Sequence, residues 1–336
     1  MGEGSPDLRH RAAGRGGKKL GDLGGTGLAG RRIALTGAGG FIGSRLVGRL
    51  LAAGARVEAL GPTPLKRPEL RALVEDGSVA YSRRALLDER LLVQALRRSD
   101  SLVHLEYRRP GRTAGEATAN VGPTATLMGA ARSAGVGYVC FASSSAVYPP
   151  GARGVSEDTA VGGAVSEYAL AKIMQETCVR AWSRLTGHPA AVLRLATVYG
   201  AGETVPRAIP NFIRAALSGR PPVVNGRGTE AFDPIHVDDV ADAFVRAVTQ
   251  RARGTFNIGT GTGRTAREVA ELVIRLCGAR CEVVENRATQ ARAGAICDVT
   301  RASSVLGFRA RVQFVSGLRD EIAWLEAAVR DARVAV

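Results

Sequence analysis

Tyr168 and Lys172 stand four residues apart in Ser166-Glu-Tyr-Ala-Leu-Ala-Lys172. On a helix, positions i and i+4 share a face. An ammonium held beside a phenol favours the phenolate and draws the tyrosine pKa toward neutrality. A tyrosine tuned that way takes or gives a proton at an alcohol or sugar oxygen. Upstream lies a glycine loop, Gly37-Ala-Gly-Gly40-Phe41-Ile42-Gly43. Gly37 permits a tight turn, Gly40 lets backbone approach a pyrophosphate, and Gly43 lets helix pack on strand. The first N–H groups of a helix opening at Phe41-Ile42 would then face the phosphates. A proton-transfer pair downstream of a dinucleotide cradle points to hydride transfer at a carbinol or ketone.

The flanking pattern supplies elements that would position these groups. Arg31-Arg-Ile-Ala-Leu-Thr36 reads as a buried strand, and Ile42, Leu46, Val47, Leu50 and Leu51 fall on one face of a following helix. Ala55 to Leu60 reads as the next strand, so the glycines occupy a strand–loop–helix–strand unit. Further strands are expected at Ser101–Leu105, Tyr138–Ala142 and Ala190–Leu195, with helices over about 120–134 and 166–186. Strands alternating with helices imply an α/β fold, a Rossmann-type doubly wound parallel sheet. After Gly200 the pattern loosens around Pro206, Pro210, Pro221 and Pro222, which marks a smaller C-terminal substrate lobe. The expected organisation is a disordered tail at 1–30, a dinucleotide-binding domain at 31–200 with 233–260 returning to it, and a lobe from 201–232 and 261–336. Asp238 and Asp239 are expected to open a helix, one of them as its cap.

Composition excludes several classes. The 336 residues carry a formal charge of +15, but the arginines are scattered among acids, as in Leu318-Arg-Asp-Glu-Ile322. No continuous basic helix appears, so no nucleic-acid partner is expected. A positive cleft would still attract an anionic cofactor and substrate. No run of about 18 apolar residues is present, and the N-terminus lacks a secretory apolar segment. We therefore expect a cytoplasmic protein without a membrane span. Five cysteines (140, 178, 277, 281, 297) form no Cys-x-x-Cys pair, which argues for reduced thiols and no metal site.

One part of the cradle departs from the usual chemistry. Dinucleotide folds that take NAD commonly end the second strand with an acid for the ribose diol. Here the segment reads Ala59-Leu60-Gly61-Pro62-Thr63, with Lys66 and Arg67 following. The missing carboxylate removes repulsion toward a 2′-phosphate and the cations attract it, so NADP is favoured slightly over NAD.

The glycine loop, Ser144 at a strand end and Tyr168-x-x-x-Lys172 together resemble the extended short-chain dehydrogenase/reductases, in particular the NAD-dependent epimerase/dehydratase family that modifies nucleotide sugars. His104-Leu105, Asn120-Val-Gly, Arg194-Leu-Ala-Thr-Val-Tyr-Gly200, His236-Val-Asp-Asp239 and Phe256-Asn-Ile-Gly259 fit the same family, over about 31–330. The resemblance implies that Ser144 is the catalytic hydroxyl, Tyr168 the acid/base, and Lys172 the residue that binds the nicotinamide ribose. It places Asn120 with the cofactor and Ser145, Glu106, Thr197, Arg227 and Arg292 with the substrate. Ser145 and Ala146 stand where 4,6-dehydratases have Asp and Glu, so ordinary dehydration is not expected. Phe232 stands where an arginine often grips the substrate diphosphate, with Arg227 or Arg292 to compensate. His236 reads as structural.

The resulting expectation is an NAD(P)-dependent nucleotide-sugar epimerase acting at C4. A close alternative is an NADPH-dependent reductase of NDP-4-keto-6-deoxyhexoses. Reduction or oxidation of a non-nucleotide alcohol or ketone is a second, and an inactive dinucleotide-binding protein a third. The resemblance also implies a homodimer through the Tyr168 helix, using Ile173, Cys178 and Trp182.

Overall fold

The computed structural model describes residues 27–83, 88–108, 115–162, 166–288 and 293–334. The strands, in chain order, are β1 (Arg32–Thr36), β2 (Arg56–Gly61), β3 (Val79–Arg83), β4 (Ser101–His104), β5 (Val139–Ser144), β6 (Arg153–Val155), β7 (Ala190–Leu195), β8 (Thr197–Tyr199), β9 (Val223–Asn225), β10 (Ala231–Phe232), β11 (Pro234–His236), β12 (Gly254–Ile258), β13 (Arg264–Thr265), β14 (Val284–Asn286) and β15 (Ile296–Cys297). The helices are α1 (Phe41–Ala52), α2 (Pro68–Glu75), α3 (Glu89–Leu96), α4 (Glu116–Ser133), α5 (Glu167–Thr186), α6 (Ala208–Leu217), α7 (Val237–Gln250), α8 (Ala266–Cys277), α9 (Thr300–Leu306) and α10 (Phe314–Val334).

Seven parallel strands form one sheet in the order β12-β7-β5-β4-β1-β2-β3. The order reverses between β1 and β4, and ligands of such sheets bind beyond the strand ends at that switch point. Successive side chains of a strand point to opposite faces, and the core divides accordingly. Ile33 and Leu35 join Leu46, Leu50, Val240 and Phe244 on one face. Ala34, Leu102 and Phe141 join Leu127, Val179 and Trp182 on the other. A third apolar cluster, including Ile209, Phe212, Val269, Val273 and Leu318, holds the smaller lobe together.

Several expectations are corrected. Residues 27–30 form an ordered turn with Leu28 fully buried, whereas 1–26 lie outside the described residues. Trp182 belongs to the subunit's own core, so it has no place on a dimer surface. Neither aspartate caps α7. The cap is His236, whose Nδ1 accepts from Asp238 N at 3.3 Å, while Asp239 accepts from the backbone N–H groups of Arg311 and Val312. The short strands of the lobe carry too few residues to show a sequence period, which is why only its looseness was readable.

Candidate functional site

The cradle forms because three loops crowd the switch point. Gly37 has φ +75°, and a Cβ there would meet Glu106 N at 2.8 Å. The glycine loop after β1 and the segment after β4 are therefore in backbone contact. Gly43 lies in the first turn of α1, where a Cβ would collide with the Gly37 carbonyl and sit 2.8 Å from Ala38 Cα. These are close approaches that only glycine permits. Gly40 is the N-cap of α1 and makes no side-chain cap, so the helix opens with Phe41 and Ile42 half-buried beside free N–H groups.

Lys172 carries the second half of the site. Ser166 caps α5 through its Oγ, which accepts from Ala169 N at 3.2 Å. Two turns on, the Lys172 side chain is buried, and Nζ donates to Ala142 O on β5 at 2.8 Å. That bond ties α5, one turn after Tyr168, to β5 two residues before Ser144. Burial lowers the Lys172 pKa to about 7, with Glu176 opposing. Nζ lies 4.6 Å from the centre of the Tyr107 ring and 4.9 Å from that of Phe141. Tyr107 also meets the Tyr168 ring edge-on at 5.0 Å. It touches both members of the pair, and it directly follows Glu106, which the resemblance places with the substrate.

Ser144 Oγ accepts from Ala146 N at 3.2 Å, capping a short 3-10 turn over Ser145–Val147. Ser145 is buried in that turn. Asn120, also buried, accepts from Arg108 N and donates to Arg108 O, each at 2.8 Å. It fixes the Glu106–Arg108 segment against the cradle. Glu106 is half-buried, and that burial raises its carboxyl pKa, with Arg108 opposing. His104 bridges Thr36 at 2.7 Å and Thr124 at 3.0 Å, and burial lowers its pKa to about 3. It is a neutral strut between β1, β4 and α4. Behind the site, Glu176 accepts from Ser143 (2.5 Å), Arg180 (2.7 Å) and Arg194 (2.9 Å), and Arg194 reaches the Tyr148 hydroxyl at 2.9 Å. This buried network joins β5, α5 and β7.

At the end of β2, Tyr81 fills the space beside Gly61: a Cβ there would lie 3.1 Å from the Tyr81 hydroxyl, which donates to Thr63 O. Arg67 is engaged, donating to Gly39 O at 3.2 Å and Gly202 O at 2.9 Å. Lys66 is exposed. In the lobe, Thr197 is half-buried on β8, with Pro234 as its register partner. Arg227 is exposed, and its carbonyl accepts from Arg267. Arg292 lies outside the described residues. Phe232 packs against the lobe core. Among the described residues no group of three His, Cys, Asp or Glu is placed to hold a metal, and no helix is long and apolar enough to cross a membrane.

Comparison with known proteins follows the same outline. The sequence model of the NAD dependent epimerase/dehydratase family matches residues 33–259. A UDP-glucose 4-epimerase of Mycolicibacterium smegmatis is 34% identical over 304 residues, covering 85% of this chain and 96% of the relative. A dTDP-glucose 4,6-dehydratase of Streptomyces niveus is 27% identical over 311 residues, 87% of this chain and 92% of that protein. Among solved structures, MoeE5 in complex with UDP-glucuronic acid and NAD superposes with TM-score 0.78 at 34% identity, covering 88% of this chain and 99% of the other. The UDP-glucuronic acid 4-epimerase of Bacillus cereus, in complex with NAD, shares the fold with TM-score 0.79 at 24% identity, with coverages of 88% and 99%.

Proposed function

The chain belongs to the NAD dependent epimerase/dehydratase family, and from that premise we propose that it is a nucleotide-sugar epimerase acting at C4 of the sugar. The observation that carries this reading is the Lys172–Ala142 bond, which ties α5, one turn after Tyr168, to the strand that ends in Ser144. A relative named for 4-epimerisation, 34% identical, supports the position of the chemistry. Ser145 and Ala146 argue against dehydration, since neither side chain can serve as the acid or base that elimination needs.

A nicotinamide dinucleotide fits the cradle, because the glycines at 37 and 43 let the loop close tightly on the protein's own backbone and α1 opens at Gly40 with no side-chain cap over its first N–H groups. When bound, it would accept and return a hydride. Tyr168 moves the proton at the sugar oxygen. Ser144 donates its hydroxyl proton to that oxygen while its Oγ still accepts from Ala146 N, and so orients it. Lys172 would hold the ribose hydroxyls, and in its protonated form its charge favours the Tyr168 phenolate. For the cofactor's 2′ position, Gly61 and the exposed Lys66 favour NADP, while the engagement of Arg67 with Gly39 and Gly202 leaves Lys66 as the cation with freedom to move.

Reduction of a 4-keto sugar is the second reading, favoured by the acid-free end of β2. Incubating the protein with UDP-hexoses without added cofactor separates the two. Epimerisation proceeds without stoichiometric NADPH, and reduction of a 4-keto-6-deoxy sugar consumes it. Tyr168→Phe should abolish either activity with the fold intact, and full turnover in that variant would sink the mechanism. A homodimer through α5 would use Leu170 and Met174, which are 50% and 41% exposed. Light scattering at a monomer's mass would refute it.

A further inference from the structure

A cavity of about 730 Å³ opens in the smaller lobe, clear of Tyr168, Lys172 and Ser144. It lies between the β12–β13 turn, α9 and the chain entering α10. Two guanidinium groups line it, Arg264 and Arg309, together with the hydroxyls of Thr260, Thr262, Ser303 and Tyr199. No Asp or Glu lines it among the described residues. Three carboxylates of the neighbourhood are committed to other donors, and Asp320 acts on the Tyr199 hydroxyl at the cavity wall. Asp233 accepts from Thr260 N and Oγ1 and from Gly261 N, Asp239 from Arg311 N and Val312 N, and Glu321 from Gly200 N.

Arg264 is held rather than loose. Its guanidinium carbon sits 4.5 Å from the centre of the Phe314 ring, and Phe314 in turn meets Tyr199 edge-on at 5.2 Å. Among the described residues no carboxylate pairs with Arg264 or Arg309. In the two-stranded ladder of β10 and β13, Arg264 is the register partner of Phe232. Opposed residues of an antiparallel pair project on the same face, with Cβ atoms roughly 5 Å apart. The cavity also reaches Pro234, the register partner of Thr197.

We propose that this cavity binds a diphosphate group, with Arg264 and Arg309 as its cations. Planar guanidinium groups suit phosphate oxygens because they donate two parallel hydrogen bonds, and the hydroxyls of Thr262 and Ser303 supply further donors, that of Thr260 being given to Asp233. Two sources carry that chemistry: the nucleoside diphosphate of the substrate, or a separate phosphorylated effector. The cavity rests on its own residues. Its assignment to the substrate rests on the nucleotide-sugar reading above.

Calorimetric titration of the full chain with inorganic pyrophosphate and with UDP tests it. Arg264→Gln and the exposed Arg309→Gln should each weaken pyrophosphate binding at least tenfold, with unchanged melting temperature. Pyrophosphate that competes with UDP-glucose identifies the substrate's diphosphate, and pyrophosphate that binds beside saturating UDP-glucose identifies an effector. Wild-type protein that binds pyrophosphate but not UDP supports the cavity and removes the nucleotide-sugar reading. Wild-type protein that binds neither, or affinities untouched by both substitutions, overturns the proposal.

Discussion

Replacing Lys172 by methionine should stabilise the cofactor-free protein at neutral pH while destroying its activity. The lysine is 3% exposed, and its pKa is lowered to about 7 from 10.5. The unfolded chain therefore keeps a proton on this side chain between pH 7 and 10.5 that the folded protein has shed. Stability attributable to Lys172 rises with pH across that window. Below pH 7 both states are protonated and the full burial cost is in force. At about 1.4 kcal/mol per unit, the ceiling is about 5 kcal/mol. Methionine is of similar length and fills the same apolar slot against Tyr107 and Phe141 without charge. It forfeits the bond to Ala142 O, about 1 kcal/mol. The net gain at pH 7 is on the order of 3 kcal/mol. Urea denaturation of both proteins from pH 6.5 to 9.5, after removal of bound dinucleotide, reads the difference, in which other titrating groups cancel. About 3 kcal/mol of it should disappear between pH 7 and 9.5. A Lys172→Met protein less stable than wild type at pH 7, or a difference flat across the range, would refute the reasoning.

Other perturbations probe the surrounding parts. Gly43→Ala drives a methyl group into the Gly37 carbonyl, and should cost about 1–3 kcal/mol and most dinucleotide affinity, measured by thermal melts with and without NAD and NADPH. Glu176→Leu leaves Arg194 buried without its carboxylate, and should destabilise by about 3–5 kcal/mol in urea; the double change with Arg194→Met should recover much of that. Tyr107→Ala opens the Lys172 ammonium to water, so its pKa should rise from about 7. The pH slope of stability between 7 and 9.5 should then flatten relative to wild type, and an unchanged slope would show that Tyr107 does not shield the lysine.

The sheet was legible because each buried strand and each amphipathic helix repeats its signal over several residues. Ile33 and Leu35, or Leu46 and Leu50, mark a face before any packing is known. The cradle was legible for a different reason. Gly37 and Gly43 are demanded by backbone contacts within one strand–loop–helix unit, so spacing alone reports them. Neither signal extends to Tyr107, which reaches Lys172 across sixty-odd residues of intervening chain. Nor could sequence separate a core Trp182 from an interface one, since both are apolar positions on α5 and only the packing of Val179, Leu127 and Phe141 around it decides. The α7 cap was misread because two aspartates follow His236, and their carboxylates look like the better caps until Asp239 is seen binding Arg311 and Val312.

Two departures from the family pattern acquire a common explanation once strand pairing is known. Gly61 lacks the expected acid, and the neighbouring strand supplies Tyr81, whose register partner is Ala59 and whose hydroxyl comes to lie beside Gly61. Phe232 lacks the expected arginine, and the opposing strand supplies Arg264. In each case the space is met by a side chain one strand away, at Gly61 a phenol that donates to Thr63 O and brings no carboxylate, at Phe232 a guanidinium about 5 Å across the ladder. A motif read position by position treats such sites as defective. A ligand meets the face and not the sequence, so a charge absent at one position can stand on the neighbouring strand. For Phe232 this changes the inference about the substrate. Absence of a cation at that position does not weaken the case for a diphosphate while a guanidinium stands on the same face of the same ladder.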